Sequence, residues 1–188
     1  MSSKASAAKP AVGGGVWAAP EGSTLPTDAS TALDAAFKSA GYISDAGVTR
    51  KISRDTTVVH AWGGDVVAVL SKGKTETFKF KFLEFSNTDV LGMVFGEATG
   101  DLTNGITVKS KADISTPRAF VISTLLADDI HQRIAIPSAV ITDVGDITYK
   151  DDDVIAFDVT ITAIADANGN TAYEYQKTIA DTGTGTGT

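Results

Sequence analysis

The chain has 188 residues, 43% of them hydrophobic, which is enough for one domain with a buried core and too little for two comfortable ones. It has no run of about 18 apolar residues, and its start, MSSKASAAKPAVGGG, lacks the apolar block of a signal peptide, so a soluble protein with nothing directing export is expected. The absence of cysteine excludes disulfides, thiolate metal sites and cysteine nucleophiles, and 16 basic against 23 acidic side chains, net −7, disfavour a protein that grips nucleic acid.

Residues 1–30 are rich in Ala, Ser, Gly and Pro and lack core-forming content, so they read as an extended N-terminal assembly arm with a flexible joint at Gly13-Gly14-Gly15. Thr31 to Ala40 has Leu33, Ala36 and Phe37 at helical spacing after Asp28 and Ser30 and is stopped by Gly41, which predicts a short helix. Strands are expected over 47–53, 56–61, 65–70 and 75–85, forming a long ribbon punctuated at Gly63-Gly64 and at Lys72-Gly73-Lys74. Within it, Phe78, Phe80 and Phe82 point one way and Thr77, Lys79 and Lys81 the other. Ser53 to Lys74 reads as a long polar hairpin whose tip, Trp62 to Asp65, projects beyond the domain. A second helix fits Thr88 to Phe95, with Val90, Leu91 and Val94 on one face and Gly96 after it.

Further strands fit 106–112, 118–127, 133–136, 154–164 and 172–179. In the fourth of these, Ile155, Phe157, Val159 and Ile161 face a core while Asp158, Thr160 and Thr162 face elsewhere. Ala167-Asn168-Gly169-Asn170 joins the last two strands and signals a hairpin, because Asn and Gly tolerate positive φ. Residues 181–188 are nearly all Gly and Thr, a low-complexity tail expected to be disordered. The fold class is therefore mainly β: an antiparallel β-sandwich or barrel over 31–180 with one or two short flanking helices. Charge is uneven, with 6 basic and 5 acidic side chains in residues 1–60 against 10 and 18 in 61–188.

No catalytic constellation emerges. His60 and Asp65 stand five apart across a turn, without a serine in a nucleophile elbow, so a hairpin tip is the better reading. Asp166-x-Asn168-x-Asn170 opens like a calcium loop, but Thr171 stands where the loop needs Gly and Lys177 where it needs Glu. Asp151-Asp152-Asp153 reads as a solvated strand edge. No metal, cofactor or catalytic residue is assigned, and an enzyme is not expected.

The succession of segments is distinctive: Trp17 to Asp28, Gly41 to Thr49, Ile52-Ser53-Arg54, His60 to Val67, Phe78 to Glu84 and Val90 to Gly96. It resembles the major tail tube proteins of long-tailed, siphovirus-like bacteriophages, particularly those infecting actinobacteria. The resemblance carries matched motifs over about 15–100 and general character over 101–180. It implies a β-sandwich subunit of the virion tail, assembled in the host cytoplasm, whose hexameric rings stack into a hollow tube through which DNA is delivered. The partners it implies are further copies of the chain, a tape measure protein and tail tip or terminator proteins, with DNA in transit, no specific DNA binding and no membrane. An added immunoglobulin-like domain, frequent in the family, is not expected within these 188 residues.

Given a tube, a bore that does not trap phosphates should be acidic or neutral. That selects Asp158, Thr160 and Thr162 with Glu174, Gln176 and Thr178 across the Asn168-Gly169 hairpin, and turns Lys79 and Lys81 away from the bore. Trp17, Arg54, Asp55, His60, Trp62, Asp65, Lys72 and Lys74 are the expected contacts between subunits. The alternative reading is a surface adhesion or carbohydrate-binding sandwich, which calls for a cluster of exposed aromatics that the Phe78, Phe80, Phe82 stripe would have to supply.

Overall fold

The computed structural model describes residues 6–11, 15–112 and 116–178. The Gly/Thr tail and most of the Gly13-Gly14-Gly15 joint lie outside them. The strands are β1 (Lys9–Pro10), β2 (Val16–Pro20), β3 (Lys38–Ser39), β4 (Thr49–His60), β5 (Val66–Phe82), β6 (Gly96–Asp101), β7 (Gly105–Ser110), β8 (Arg118–Leu125), β9 (Ile130–Val144), β10 (Phe157–Ile164) and β11 (Tyr173–Thr178), with one α-helix, α1 (Thr88–Phe95), and one 3-10 turn, Ala127–Asp129. Nine strands form one antiparallel sheet in the order β3-β2-β8-β9-β10-β5-β4, with β1 also on β8 and β11 also on β9; β6 and β7 form a separate hairpin. This is the mainly antiparallel β fold that the alternating patterns predict.

The expected phenylalanine stripe is the centre of the core. Phe78, Phe80, Phe82, Phe157, Val159 and Ile161 are all buried, and α1 lays Val90, Leu91, Met93 and Val94 over them. Register explains why both strands contribute: Phe157 lies opposite Phe82, Val159 opposite Phe80 and Ile161 opposite Phe78, so one face is apolar across the pair. Ile155 packs against this core half-buried. A smaller core on the other face of the sheet gathers Ala19, Phe37, Ala119, Val121 and Ala135 beneath Trp17, Leu33, Tyr173 and Tyr175.

Helix α1 begins and ends where its sequence predicts. The Asn87 side chain accepts the backbone N–H groups of Asp89 and Val90, and Gly96 takes φ +102° at the other end. Replacing Asn87 with Ala removes the acceptor for those two donors, and urea denaturation should register a loss of about 1 kcal/mol. The β6–β7 hairpin is fastened by Glu97, which receives hydrogen bonds from Lys109 (2.6 Å) and lies 2.8 Å from Lys111; these lysines lower its carboxyl to about 2.

Four expectations need correction. Thr31 to Ala40 is not a helix. The Asp28 carboxylate captures the N–H groups of Ser30 and Thr31 and the Thr31 hydroxyl, and the Asp34 side chain takes the Ala36 N–H, so local side-chain acceptors replace the helical ladder. Leu33, Ala36 and Phe37 still reach apolar surroundings, in the second core. Residues 1–30 do supply core: Val16 is fully buried, and Val16–Pro20 pairs with β8 from Ile122 to Arg118. The four ribbon segments are two long strands, with a bulge where Asp55 faces Gly73 and Thr56 faces Ser71, leaving Lys72 unmatched.

The fourth correction concerns the Asn168-Gly169 turn. It exists, with Gly169 at φ +79° and the Asp166 carboxylate accepting from the N–H groups of Asn168 and Asn170, but it does not fold β11 back on β10. Both strands pair with β9: β10 runs along Val144 to Ser138 and β11 continues along Ala135 to Ile130. They lie end to end on one edge, and residues 165–172 form a detour between them.

Candidate assembly surface

The β4–β5 hairpin dominates the surface. Strand β10 covers β5 only from Thr77 to Phe82, so from Glu76 outward β4 and β5 pair with each other alone. The free part extends roughly 30 Å at about 3.3 Å per residue. At the tip, the Ala61 N–H donates to the Asp65 carbonyl (2.8 Å) and the Gly64 N–H to the Ala61 carbonyl (3.0 Å), while Gly63 and Gly64 take positive φ. His60 Nδ1 lies 3.0 Å from the Gly64 carbonyl, and Trp62 is fully exposed.

The hairpin is polar only near its base. Thr56 to Ser71 contains nine apolar residues in sixteen, no Lys or Arg, and Asp65 as its one acid. Val58 lies opposite Val69, and on the reverse face Thr57 lies opposite Leu70 and Val59 opposite Ala68. Val58, Val59, Val66, Val67, Val69 and Leu70 are all substantially exposed. The reading of Ser53 to Lys74 as a polar hairpin is thus corrected for its outer half, where an exposed apolar surface of this extent marks a site of association.

At its root the hairpin is clamped by a charge cluster. Glu76 is fully buried and lies on the Phe78 face of β5. Its carboxylate receives Arg50 Nε (2.5 Å), Lys74 Nζ (2.6 Å) and the Thr171 hydroxyl. Arg50 also reaches Glu174 (2.9 Å), which accepts from Gln132, and its guanidinium stands 5.5 Å over the Phe78 ring. Burial pushes the Glu76 carboxyl up, but the hydrogen bonds from Lys74, Thr171 and Arg50 outweigh it and hold the group below its ordinary value. Glu76 is not among the residues expected at this surface. Its signal is an acid in period-two register with a buried aromatic stripe, Glu76-x-Phe78-x-Phe80-x-Phe82.

The eight expected contact residues divide. Arg54, Asp55, His60, Trp62, Asp65 and Lys72 are exposed on the hairpin. Lys74 is occupied by Glu76 and donates to Thr171 (2.7 Å), and Trp17 is half-buried against the second core. The six expected lumen residues do not share a face. Asp158, Thr160 and Thr162 point away from the main core, whereas Glu174 points to the side where Arg50 stacks on Phe78, opposite Tyr173 and Tyr175. Lys81 lies directly opposite Asp158, and Lys79 opposite Thr160 with its Nζ 3.2 Å from Asp158. Lys79 and Lys81 therefore cannot turn away from a surface that Asp158 faces.

The remaining chemical candidates have local partners. Asp166 is occupied by its own turn and by the Tyr173 hydroxyl (2.5 Å), which together hold its carboxyl below its ordinary value. Lys150 bridges Asp152 (3.3 Å) and Asp153 (3.5 Å). Among the described residues no cluster of His, Asp or Glu is disposed to hold a metal ion, and no helix is long and apolar enough to cross a membrane.

The sequence model of a family described as phage tail tube protein matches residues 1–184. The chain belongs to the phage tail tube family. No match is found among curated proteins. Membership makes the tail tube protein a structural component of the virion tail, one that assembles with itself into a tube and meets other tail proteins. The hairpin and the bare outer edge of β4 give this tail tube protein a long unpaired edge beside exposed apolar side chains.

Proposed function

We propose that this protein is the repeating subunit of the phage tail tube: six copies close a ring, and rings stack into a hollow tube through which DNA is delivered into the host. The observation that carries the reading is the β4–β5 hairpin, a long ribbon with an unpaired edge and exposed apolar side chains, set on a subunit of the tail tube family. A monomer with such an edge is open to uncontrolled sheet pairing, and closure with further copies removes the exposure. The N-terminal arm joins the hairpin in these contacts. Tape measure and tip or terminator proteins are the further partners, assembly takes place in the host cytoplasm, and no catalytic role is assigned. The narrower likeness to tubes of phages infecting actinobacteria rests on the motifs between Trp17 and Gly96.

For the bore we propose the face carrying Asp158, Thr160 and Thr162. Register adds Lys51, Lys79 and Lys81 to it, with Asp143 opposite Thr160, so three lysines face two aspartates and the wall is close to neutral rather than acidic. The Lys79–Asp158 pair leaves that lysine with less free charge to offer a passing phosphate. A charge map of the assembled tube with this face turned outward would remove the assignment.

The adhesion reading loses the aromatics it relied on, since Phe78, Phe80 and Phe82 are core; of the exposed rings, Trp62 stands at the hairpin tip, while Tyr42 and Phe85 lie on adjoining segments joined by the Leu83 N–H to the Tyr42 carbonyl. Negative-stain microscopy of the purified protein tests the proposal. Tubes or rings of uniform bore are expected, and dispersed monomers at high concentration would contradict it. Replacing 54–73 by a two-residue turn should give a folded subunit that forms no tubes; tubes from that variant would take the hairpin out of the assembly.

A further inference from the structure

The loop between β2 and β3 roofs a cavity of about 450 Å³ on the second-core face of the sheet, walled by the apolar side chains of Trp17, Leu33, Phe37 and Leu125. Ser123 and Arg133 form its floor: they lie directly opposite one another on β8 and β9, and both border the cavity. The Ser123 hydroxyl and Arg133 Nε are also the two buried side-chain polar atoms, among the described residues, that no hydrogen bond satisfies. A native fold rarely leaves one such atom unpaired, and two in register on one cavity floor call for a common partner. Arg133 makes the stronger demand. Its Nη1 donates to the Asp28 (3.1 Å) and Thr31 (2.9 Å) carbonyls and so pins the roof, but none of the ion pairs among the described residues includes it. Burial pushes the guanidinium below its ordinary value, and the Asp28 charge offsets this only in part. Other polar side chains around the cavity are engaged: Asp34 accepts from the Ala36 N–H, Ser30 from Lys177, and Thr124 donates to Gln132.

We propose that this cavity is a binding site for a small monocarboxylate with an apolar body, its carboxylate taking Arg133 Nε and the Ser123 hydroxyl and its body lying against Trp17, Leu33, Phe37 and Leu125. The volume falls in the range of small-molecule sites, and the walls have their usual make-up of apolar surface with a few convergent polar groups. A carboxylate fits better than a neutral acceptor, because it supplies the opposite charge that Arg133 lacks. A phosphate does not fit: one guanidinium leaves it under-neutralised, and apolar walls cannot hydrogen-bond its remaining oxygens. The site lies within one subunit, so the inference stands apart from the tube reading.

Hexanoate serves as the probe, with hexanamide and hexanol as controls for its apolar body. The chain has two tryptophans, so Trp62→Phe leaves Trp17 as the single one, and its fluorescence reports on the cavity it lines. A saturable change in Trp17 emission at millimolar hexanoate is expected, together with a raised melting temperature, and both controls should bind roughly ten-fold more weakly. Ser123→Ala removes a hydroxyl that no group in the subunit bonds, so it should keep the wild-type melting temperature while weakening hexanoate several-fold. Arg133→Met should abolish saturation; because it also releases the roof, the serine variant carries the test if that protein unfolds. Hexanol binding as tightly as hexanoate would overturn the inference, by making the cavity merely apolar. Unchanged affinity in Ser123→Ala, or no response to hexanoate at all, would overturn it as well, by leaving the two polar atoms to water.

Discussion

Phe80→Ala is expected to destabilise the subunit by about 3–5 kcal/mol. The ring is 2% exposed and meets Phe82 edge to face at 5.1 Å. It lies opposite Val159, in the middle of the paired β5–β10 face on which α1 packs. Removing it leaves a cavity that the flanking strands cannot close without breaking their register. For a domain of this size the loss corresponds to a fall of roughly 10 °C in the melting temperature of the monomer. Phe80→Leu, which keeps most of the volume, should cost far less. An unchanged melting curve for the alanine variant would place the stripe outside the core.

Glu76→Gln is expected to cost about 3 kcal/mol at neutral pH, at the lower end for a broken buried pair because Arg50 and Lys74 remain about one-third exposed and can turn to water. The carboxyl is held below its ordinary value of 4.5, so the stability it contributes is fully present above that value and is lost as pH falls through the lower value of the folded state. The wild-type melting temperature should therefore drop on acidification below about pH 4.5, and the glutamine variant should show a shallower acid limb that converges on the wild type. Parallel curves for the two proteins, or equal stability at pH 7, would remove Glu76 from the clamp.

Much of this fold is legible in the sequence because period-two and helical spacings are read locally. Phe78-x-Phe80-x-Phe82, Phe157-x-Val159-x-Ile161 and Asn87 to Gly96 each state their own structure. What is not legible depends on competition or on distance. Thr31 to Ala40 has the apolar spacing of a helix, but Asp28 and Asp34 offer closer acceptors. Val16–Pro20 sits in a composition of small residues and becomes a strand because β8 provides an edge. The candidate surface follows the same pattern. The projecting tip is visible in Trp62-Gly63-Gly64-Asp65, but grouping Asp158 with Glu174 extends one alternation through residues 165–172, where the chain leaves the sheet and returns on the opposite phase. Glu76 is hidden because its partners Arg50, Thr171 and Glu174 are remote in sequence.

Strand β9 holds β10 and β11 one after the other along the same edge, each by its own ladder. The detour between them therefore sets neither strand's register, and its length is decoupled from the geometry of the sheet. Its apex at Asn168-Gly169 is exposed, and the N–H groups of Asn168 and Asn170 beside it donate to the Asp166 carboxylate. Evolution, or an engineer, can lengthen the chain there without asking the rest of the subunit to move, provided Thr171 keeps its place beside Glu76. A polymer that repeats one subunit many times would then carry any such insertion at every repeat, as a regular array along its length.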